Sequence, residues 1–332
     1  METKKLKPTA ILEAAQIIKR GGLVAFPTET VFGLGADATN DAAVKKIYQA
    51  KGRPSDNPLI VHVAKKGDVT RYAQAIPEIA KQLMDHFWPG PLTLILNSNG
   101  TVAPTVTGGL TTVGLRMPSH PLALHFIEAC DVGLAAPSAN LSGRPSPTTT
   151  DHVYADLNGR IDGIFIADHL PVGVESTVLD LTSEVPTILR PGDTTQAQIE
   201  RVIGPIQGFE EQPAVKSPKA PGMKYKHYAP NIPVWMTRDF SHALQKFQDK
   251  KVGLLAKDTV IQKYQSQENV VATFSLGPDE HVQSANAALY DGLRTLEKAG
   301  ADVIIAQVFP AVGAGIAYMN RLNKASAGKI VE

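Results

Sequence analysis

The sequence of residues 51–62 reads Lys-Gly-Arg-Pro-Ser-Asp-Asn-Pro-Leu-Ile-Val-His, in which a polar loop leads into an apolar run. Pro54 and Pro58 lack a backbone donor and exclude a helix through the loop. The apolar residues 59–63 are typical of a buried strand. Two cations held on a rigid loop ahead of a strand favour an anionic ligand, above all phosphate, because a guanidinium matches the phosphate oxygens. For this stretch alone, a solvated surface turn is the simpler interpretation.

The composition predicts a globular protein of two domains, since the chain has 332 residues, of which 43% are apolar and 20% are charged. Its 33 basic and 32 acidic residues leave a net charge of +1, so no global positive field draws it to nucleic acid. The single cysteine, Cys130, excludes an intramolecular disulfide, and its apolar neighbours predict a buried hydrophobic residue. No apolar run approaches the ~18–20 residues that span a bilayer, and no signal peptide is recognised, so we expect a cytoplasmic protein.

Helical and strand patterns alternate at short intervals over residues 1–207, which predicts an α/β domain with a twisted, open, mixed sheet. Residues 208–233 contain five prolines and predict a linker. The alternation resumes over residues 234–332 and predicts a smaller, Rossmann-like α/β domain with a parallel sheet. Within the first domain, the hydroxyl- and glycine-rich residues 28–35 are predicted to form a loop.

Polar loops lie between these elements, and several of them carry cations or hydroxyls. Because loops that follow the strands of an open α/β sheet converge on one crevice, we expect these side chains to meet. The predicted cations are Lys51, Arg53, Arg116, Arg144 and Arg190. The predicted hydroxyls are those of Thr30, Thr112, Ser138, Ser146 and Ser176. Each residue alone is more often a turn or surface residue, but together they predict a site for a polyphosphate and a carboxylate.

Several familiar catalytic motifs are absent from the sequence. It has no Gly-x-x-x-x-Gly-Lys-Ser/Thr phosphate loop, no Gly-x-Ser-x-Gly elbow and no Cys/His spacing for a protein-bound zinc ion. His62 is the one histidine predicted to lie in the crevice, because it ends an apolar strand, whereas His120 and the others considered are predicted at helix or turn surfaces. The predicted chemistry is therefore positioning and electrostatics, without a covalent enzyme intermediate.

A series of motifs, in order along the chain, resembles those of the YrdC-like family. They are residues 27–35 (Pro-Thr-Glu-Thr-Val-Phe-Gly-Leu-Gly), 51–62, 88–93 (Trp-Pro-Gly-Pro-Leu-Thr), 113–118 (Val-Gly-Leu-Arg-Met-Pro), 136–143 (Ala-Pro-Ser-Ala-Asn-Leu-Ser-Gly) and 175–177 (Glu-Ser-Thr). Residues 221–230 (Pro-Gly-Met-Lys-Tyr-Lys-His-Tyr-Ala-Pro) resemble the linker of the family's long form, which has an extra C-terminal domain. Phe32 stands where the family commonly has tyrosine.

The resemblance implies an enzyme that forms threonylcarbamoyl-AMP and pyrophosphate from L-threonine, bicarbonate and ATP, for the threonylcarbamoyl modification of a tRNA adenosine beside the anticodon. Residues 1–207 would form its catalytic domain. Mg²⁺ is expected on the ATP phosphates, with no ligands from protein side chains. Downstream tRNA threonylcarbamoyl-transfer enzymes are expected as partners, and the near-neutral charge argues against direct tRNA binding. The alternatives are an RNA-binding module and another carbamoyl- or adenylyl-transferase on the same scaffold.

The same resemblance implies roles for individual residues. The catalytic residues would be Lys51, Arg53, Ser138 and Asn140. L-Threonine would be bound by Thr30, His62, Arg116, Ala136 and Ser176, with the guanidinium of Arg116 on its carboxylate. ATP would be bound by Lys51, Arg53, Asn57, Thr112, Ser138, Asn140, Ser146, Arg190 and Tyr228. From the linker, Tyr228 and Tyr225 would fold over the crevice as a lid.

Overall fold

The structure is a computed structural model that describes residues 2–167, 170–210, 227–278 and 282–332. The chain divides into two compact units. The first consists of Met1–Ser142, Pro147–Pro171 and Glu175–Tyr225, and the second of Gly143–Ser146, Val172–Val174 and Lys226–Glu332. The domain limits at residues 207 and 233 stay a prediction. Most of the predicted linker, including the predicted lid residue Tyr225, lies outside the described residues.

The described residues of the first unit form one ten-stranded sheet with helices. Its strands are β1 (Lys4–Leu6), β2 (Val24–Pro27), β3 (Phe32–Asp37), β4 (Ile60–His62), β5 (Leu92–Asn97), β6 (Thr112–Arg116), β7 (Leu134–Ala135), β8 (Gly163–Phe165), β9 (Thr177–Asp180) and β10 (Thr187–Arg190). Its helices are α1 (Ile11–Lys19), α2 (Asp41–Lys51), α3 (Glu78–Phe87), α4 (Pro104–Thr107), α5 (Pro121–Cys130), α6 (Thr150–Leu157) and α7 (Gln196–Ile203), with a 3-10 helix at Lys66–Arg71.

The strand order of this sheet is β1-β8-β2-β3-β7-β4-β6-β5-β9-β10, and it is mixed. Strands β4 and β6 are parallel, whereas β7 runs antiparallel to β4 on its other side. The predicted mixed sheet is therefore confirmed. At the end of β4, His62 is in register with Arg116 of β6 and Leu134 of β7, so three strands meet beside the imidazole.

Helix α2 leads the chain into the loop that precedes β4. Its first turn is capped by Asn40, whose side chain accepts a hydrogen bond from the backbone N–H of Ala43 at 3.1 Å. It ends at Gly52, which adopts φ 61°, a left-handed conformation that suits glycine best. Lys51, the last helical residue, is consequently turned into the protein and is 2% exposed.

The prediction of a loop over residues 28–35 was wrong in its second half. Residues 32–37 form β3, which pairs antiparallel with β2, and Phe26 is in register with Gly33. A Cβ atom added to Gly35 would lie 2.9 Å from the ring of Phe26. The glycines are therefore there to accommodate an aromatic ring on the neighbouring strand, and this packing overrides their preference for loops.

The hydrophobic core covers both faces of this sheet. Cys130 is 1% exposed and packs with Phe126 and Ile18, and burial raises the pKa of its thiol to about 12. The prediction of a buried hydrophobic cysteine is thus confirmed. Among the described residues, no helix combines the length and the apolar composition needed to cross a bilayer.

The second unit contains a smaller sheet of five parallel strands among its described residues. The strands are β11 (Val234–Thr237), β12 (Val252–Ala256), β13 (Val270–Ser275), β14 (Val303–Gln307) and β15 (Ile330–Val331), in the order β13-β12-β14-β11-β15. The helices are α8 (Phe240–Lys246), α9 (Asp258–Tyr264), α10 (Val282–Lys298) and α11 (Gly315–Ser326). The predicted smaller parallel α/β domain is therefore confirmed.

We predict that Gly35→Ala lowers the free energy of unfolding by about 1–3 kcal/mol, because the new methyl group overlaps the buried ring of Phe26. Gly67→Ala is the control, since no atom lies within 4 Å of the added carbon. Urea unfolding measures both changes. Phe26→Leu should recover part of the loss in the Gly35→Ala background, and strictly additive effects of the two substitutions would contradict the stated cause.

Candidate active site

The ammonium group of Lys51 is enclosed by the backbone of residues 138–140. Its Nζ donates hydrogen bonds to the carbonyl oxygens of Ser138 and Asn140, the latter at 2.6 Å. The hydroxyl of Ser138 in turn donates to Oδ1 of Asn140 at 2.6 Å. Three of the four predicted catalytic residues thus lie in one hydrogen-bonded group, which a buried cation requires.

The loop between α2 and β4 is folded back on itself. Nη2 of Arg53 donates to the carbonyl oxygens of Asn57 and Pro58, at 3.4 and 3.3 Å. The hydroxyl of Tyr48 also donates to the carbonyl of Asn57, at 2.9 Å, and burial raises the pKa of this phenol to about 12. These bonds hold the loop in one conformation, as the two prolines predict.

The side chain of Asn57 has no such partners. It is 1% exposed, and within the described residues neither its amide oxygen nor its amide nitrogen has a hydrogen-bond partner. A buried polar group left unsatisfied costs about 1–3 kcal/mol. Such groups are rare in native proteins and call for an explanation such as an absent ligand, so the amide of Asn57 points to a polar ligand at this loop.

Arg116, at the end of β6, joins several segments of the crevice. Its Nη2 lies 2.7 Å from Oε1 of Glu29 and donates to the hydroxyl of Thr30 at 3.0 Å. Its Nε donates to the carbonyl of Gly90 at 3.3 Å. The guanidinium and the carboxylate are 5% and 7% exposed. A buried cation with this planar fork can also pair with a ligand carboxylate.

His62 is buried beside these charges, with 4% exposure, and its ring packs edge-on against Phe26 at a centroid distance of 5.9 Å. Burial, together with the positive charges of Arg116 and Arg190, lowers the pKa of His62 to about 3. The imidazole is therefore neutral at neutral pH. Its Nδ1 has no hydrogen-bond partner in the part of the chain that the structure describes. A neutral ring with an unused polar atom is suited to bind a polar ligand.

Ser176 lies at the centre of a second hydrogen-bonded group. Its hydroxyl is 2.8 Å from the hydroxyl of Thr93 and accepts a hydrogen bond from Nη2 of Arg190 at 3.1 Å. Nε of Arg190 also donates to the carbonyl of Ser176 at 3.1 Å. A Cβ atom added to Gly192 would lie 2.3 Å from the nitrogen of Thr177, so only glycine allows this close backbone approach.

The crevice differs from the sequence prediction in its geometry. Residues 51–57 precede β4 instead of following a strand, and Thr112 is the first residue of β6. His62 and Arg116, in contrast, are the last residues of these two parallel strands. The polar loops do not share one carboxyl edge, because the sheet is mixed. As a result, Asn57 and Thr112 lie toward one end of the strand pair and the imidazole and guanidinium toward the other. The backbone N–H of Ala136 bonds to the carbonyl of Ile60 between these ends, at 2.9 Å.

Three residues of the predicted crevice belong to the second unit and are described within it. Ser146 is fully buried. Arg144 forms an ion pair with Glu297 at 2.9 Å. Tyr228, with φ 67°, is 5% exposed and packs on Tyr290 at a ring distance of 5.4 Å.

Sequence reasoning did not single out the acidic side of the crevice. Besides Glu29, it includes Asp193, whose carboxyl pKa is raised by burial and by the neighbouring Glu29. His120 was placed at a surface, but it is half-buried, accepts a hydrogen bond from the N–H of Leu122 at 3.2 Å, and has a pKa lowered by burial. Glu29 could have been found from its position between Thr28 and Thr30, in the same polar loop. A buried arginine such as Arg116 needs a counter-charge, and Glu29 is the carboxylate of that loop.

Comparison with known proteins accounts for nearly the whole chain. Residues 16–192 match the Sua5/YciO/YrdC family model, described as telomere recombination. Residues 194–327 match the model described as the C-terminal domain of threonylcarbamoyl-AMP synthase.

Relatives that cover nearly the whole chain are named threonylcarbamoyl-AMP synthase. The threonylcarbamoyl-AMP synthase of Bacillus subtilis is 47% identical, with 97% of this chain and 94% of the relative covered. That of Pyrococcus abyssi is 44% identical, with 99% and 97% covered. A putative threonylcarbamoyl-AMP synthase of Mycobacterium tuberculosis is 35% identical and shorter, with 58% of this chain and 89% of the relative covered.

The fold is also shared with solved structures. The crystal structure of P. abyssi Sua5 complexed with L-threonine superimposes with a TM-score of 0.91 at 41% identity, covering 100% of this chain and 99% of that one. The crystal structure of Escherichia coli YciO shares the fold of part of the chain, with a TM-score of 0.52 at 24% identity, covering 57% of this chain and 92% of that one.

We predict that His62 makes folding stability pH-dependent between pH 6.5 and about 3. The unfolded imidazole has a pKa of about 6.5 and the folded one of about 3, so the unfolded state binds more protons in this window. The stability is complete above pH 6.5 and falls by about 1.4 kcal/mol for each pH unit below it. His62→Gln removes this contribution.

Urea unfolding at a series of pH values measures the effect as the difference between wild type and variant. His86→Gln, at an exposed position, is the control and should leave the difference near zero. Parallel curves for wild type and His62→Gln would show that the folded imidazole titrates normally.

Proposed function

The chain belongs to the family of the threonylcarbamoyl-AMP synthases, and we propose that the crevice around Lys51 and His62 is where it makes this product. Members of this family are enzymes that form an adenylate with ATP. The proposed substrates are L-threonine, bicarbonate and ATP, and the products are threonylcarbamoyl-AMP and pyrophosphate. The observation that carries the proposal is a pair of buried polar side chains near the two ends of β4. The amide of Asn57 and Nδ1 of His62 have no hydrogen-bond partner among the residues that the structure describes.

We assign the end with His62 and Arg116 to L-threonine. The guanidinium would fork onto the amino acid carboxylate, which replaces part of its pairing with Glu29. The hydroxyls of Thr30 and Ser176 and the backbone at Ala136 would surround the polar groups of the substrate. A neutral imidazole can accept a hydrogen bond, which a protonated ring cannot, so the lowered pKa of His62 suits recognition of a hydroxyl or an ammonium.

We assign the other end to ATP. The charge of Lys51 is held among carbonyl oxygens and offsets phosphate charge, while Arg53 and the amide of Asn57 lie on the same loop. Ser138 and Asn140 lie beside Lys51, and Thr112 lies toward the same end as the loop. Arg190, which bonds to Ser176, also stays a proposed ATP ligand. Ser146 and Tyr228 also stay proposed ATP ligands.

The proposed reaction proceeds without an enzyme-bound intermediate. The amine nitrogen of L-threonine attacks the carbon of bicarbonate, a C–O bond of bicarbonate breaks, and the hydroxyl leaves as water with a proton from the amine. An oxygen of the resulting carbamate attacks the α-phosphorus of ATP. The bond from that phosphorus to the bridging oxygen breaks, and the electron pair leaves with pyrophosphate. Cations fixed in advance around the phosphates stabilise the charge that develops, which is the main task of the protein in phosphoryl chemistry.

Mg²⁺ would accompany the ATP phosphates and neutralise part of their charge. Among the described residues, no group of three or more His, Cys, Asp or Glu side chains is arranged to hold a metal ion. The product is an energy-rich mixed anhydride, and a tRNA threonylcarbamoyl-transfer enzyme is the proposed consumer.

Pyrophosphate release tests the proposed reaction when each substrate is omitted in turn. We predict that release requires L-threonine, bicarbonate and ATP together, and that L-serine supports it poorly. Release without L-threonine or without bicarbonate would contradict the proposal.

We predict that Arg116→Lys raises the KM for L-threonine about tenfold or more, since the loss of one charged hydrogen bond of about 1.5–3 kcal/mol has this effect.

We predict that Asn57→Leu makes the protein more stable and less active. Removing an unsatisfied buried amide should raise the free energy of unfolding by about 1 kcal/mol, while the KM for ATP rises about tenfold and the KM for L-threonine changes little. Urea unfolding and steady-state kinetics measure these effects. Asn158→Leu, at an exposed position, is the control and should change neither. A less stable but fully active variant would show that the amide is structural.

A further inference from the structure

Helix α10 of the second unit carries two charged residues three positions apart, Arg294 and Glu297, which lie on the same side of the helix. Both contact the segment Gly143–Ser146 of the same unit. Nε and Nη2 of Arg294 donate to the carbonyl of Pro145, at 3.2 and 2.5 Å. Oε1 of Glu297 accepts a hydrogen bond from Nη1 of Arg144 at 2.9 Å and another from the N–H of Asn231 at 3.1 Å.

The bond to Pro145 determines the placement of the next residue. The carbonyl of Pro145 and the N–H of Ser146 belong to one peptide group, which is planar. Two donors of one rigid guanidinium hold that plane, and Arg294 is 7% exposed, so water competes little for the carbonyl. The position of the Ser146 backbone, and of the hydroxyl it carries, therefore depends on Arg294.

The residues before Pro145 are held in the same way. Gly143 adopts φ 89°, and its carbonyl accepts a hydrogen bond from the N–H of Ala229 at 2.9 Å. Gly143, Arg144 and Pro145 thus each have a bond to a residue of the same unit that is distant in sequence.

The same helix holds a second short segment of its unit, Val172–Val174. Gly173 adopts φ 74°, and a Cβ atom added there would lie 2.4 Å from Cα of Ala287. The backbone therefore passes α10 at a distance that only glycine permits. Glu175 and Ser176 follow directly, so α10 fixes the chain next to two of the predicted binding motifs.

We propose that α10 is a clamp on the loop Gly143–Ser146, and that Arg294 and Glu297 are positioning residues for ATP. This proposal rests on the proposed function, in which Ser146 contacts the nucleotide. Helix α10 then serves the reaction by holding the loop that carries the proposed nucleotide-binding serine. The loss of the clamp should weaken use of ATP without affecting use of L-threonine.

Steady-state pyrophosphate release by the full chain tests the clamp in Arg294→Lys and Glu297→Gln. Arg294→Lys keeps the charge but loses the planar fork, and we expect the KM for ATP to rise about tenfold and the KM for L-threonine to change less than about twofold. Lys298→Ala, an exposed position on the same helix, is the matched control and should behave as wild type. Thermal unfolding shows whether each variant is folded; if Arg294→Lys is not, Glu297→Gln supplies the same measurement.

A double-mutant cycle tests whether Glu297 acts through Arg144. Arg144→Gln, Glu297→Gln and the double variant should raise the KM for ATP by similar factors, because all three break one ion pair. An unchanged KM for ATP in folded variants, or equal increases in both KM values, would overturn the clamp while wild-type activity still supports the proposed function. A wild-type protein that releases no pyrophosphate would instead contradict the proposed function itself.

Discussion

The buried guanidinium of Arg116 is the group on which the crevice of the first unit depends. It joins the loop after β2, through Glu29 and Thr30, to the turn before β5, through Gly90. Burial is the main cause of the lowered pKa of His62, and the charge of Arg116 lowers it in the same direction. A buried ion pair that loses one partner leaves the other charge without compensation, at a cost of about 3–5 kcal/mol. One side chain therefore joins the segments of the crevice and contributes to the neutral state of its histidine.

The crevice holds groups that do not favour folding. Asn57 buries an amide with no described partner, and His62 buries a ring whose protonated form is excluded. A protein selected for stability alone would replace both with apolar residues of similar size. Their presence is the pattern expected of a binding site, where stability is reduced so that polar atoms are ready for a ligand.

Much of the fold could be predicted from local sequence. The cap at Asn40, the glycine after α2 and the prolines before β4 are signals within a few residues, and the structure has the elements they predict. The strand β3 was missed because the reason for its glycines is the ring of Phe26, which comes next to them only when β2 and β3 pair. Whether neighbouring strands run parallel or antiparallel is also decided by tertiary pairing. For this reason the polar loops were predicted at one edge of the sheet, whereas they lie toward both edges.

The site could likewise be predicted only where local motifs indicate its residues. The group around Lys51, Ser138 and Asn140 lies together in the structure, because each residue is in a recognisable motif. Arg144 looked like a further cation of the crevice, but it is committed to Glu297, a residue 153 positions away that no local pattern indicates. The acidic residues Glu29 and Asp193 were overlooked because a search for anion-binding groups counts positive charges and hydroxyls.

The long sequence separation within the clamp bears on how the chain is made. Arg294 follows Pro145 by 149 residues, and a ribosome that adds about 5–20 residues per second needs roughly 7–30 seconds to cover that distance. During this interval the nascent chain already contains Lys51, His62 and Arg116, but the helix that holds its serine loop does not yet exist. On the proposed clamp, the serine loop is held in place only near the end of translation, so the chain reaches its full affinity for ATP only when it is almost complete.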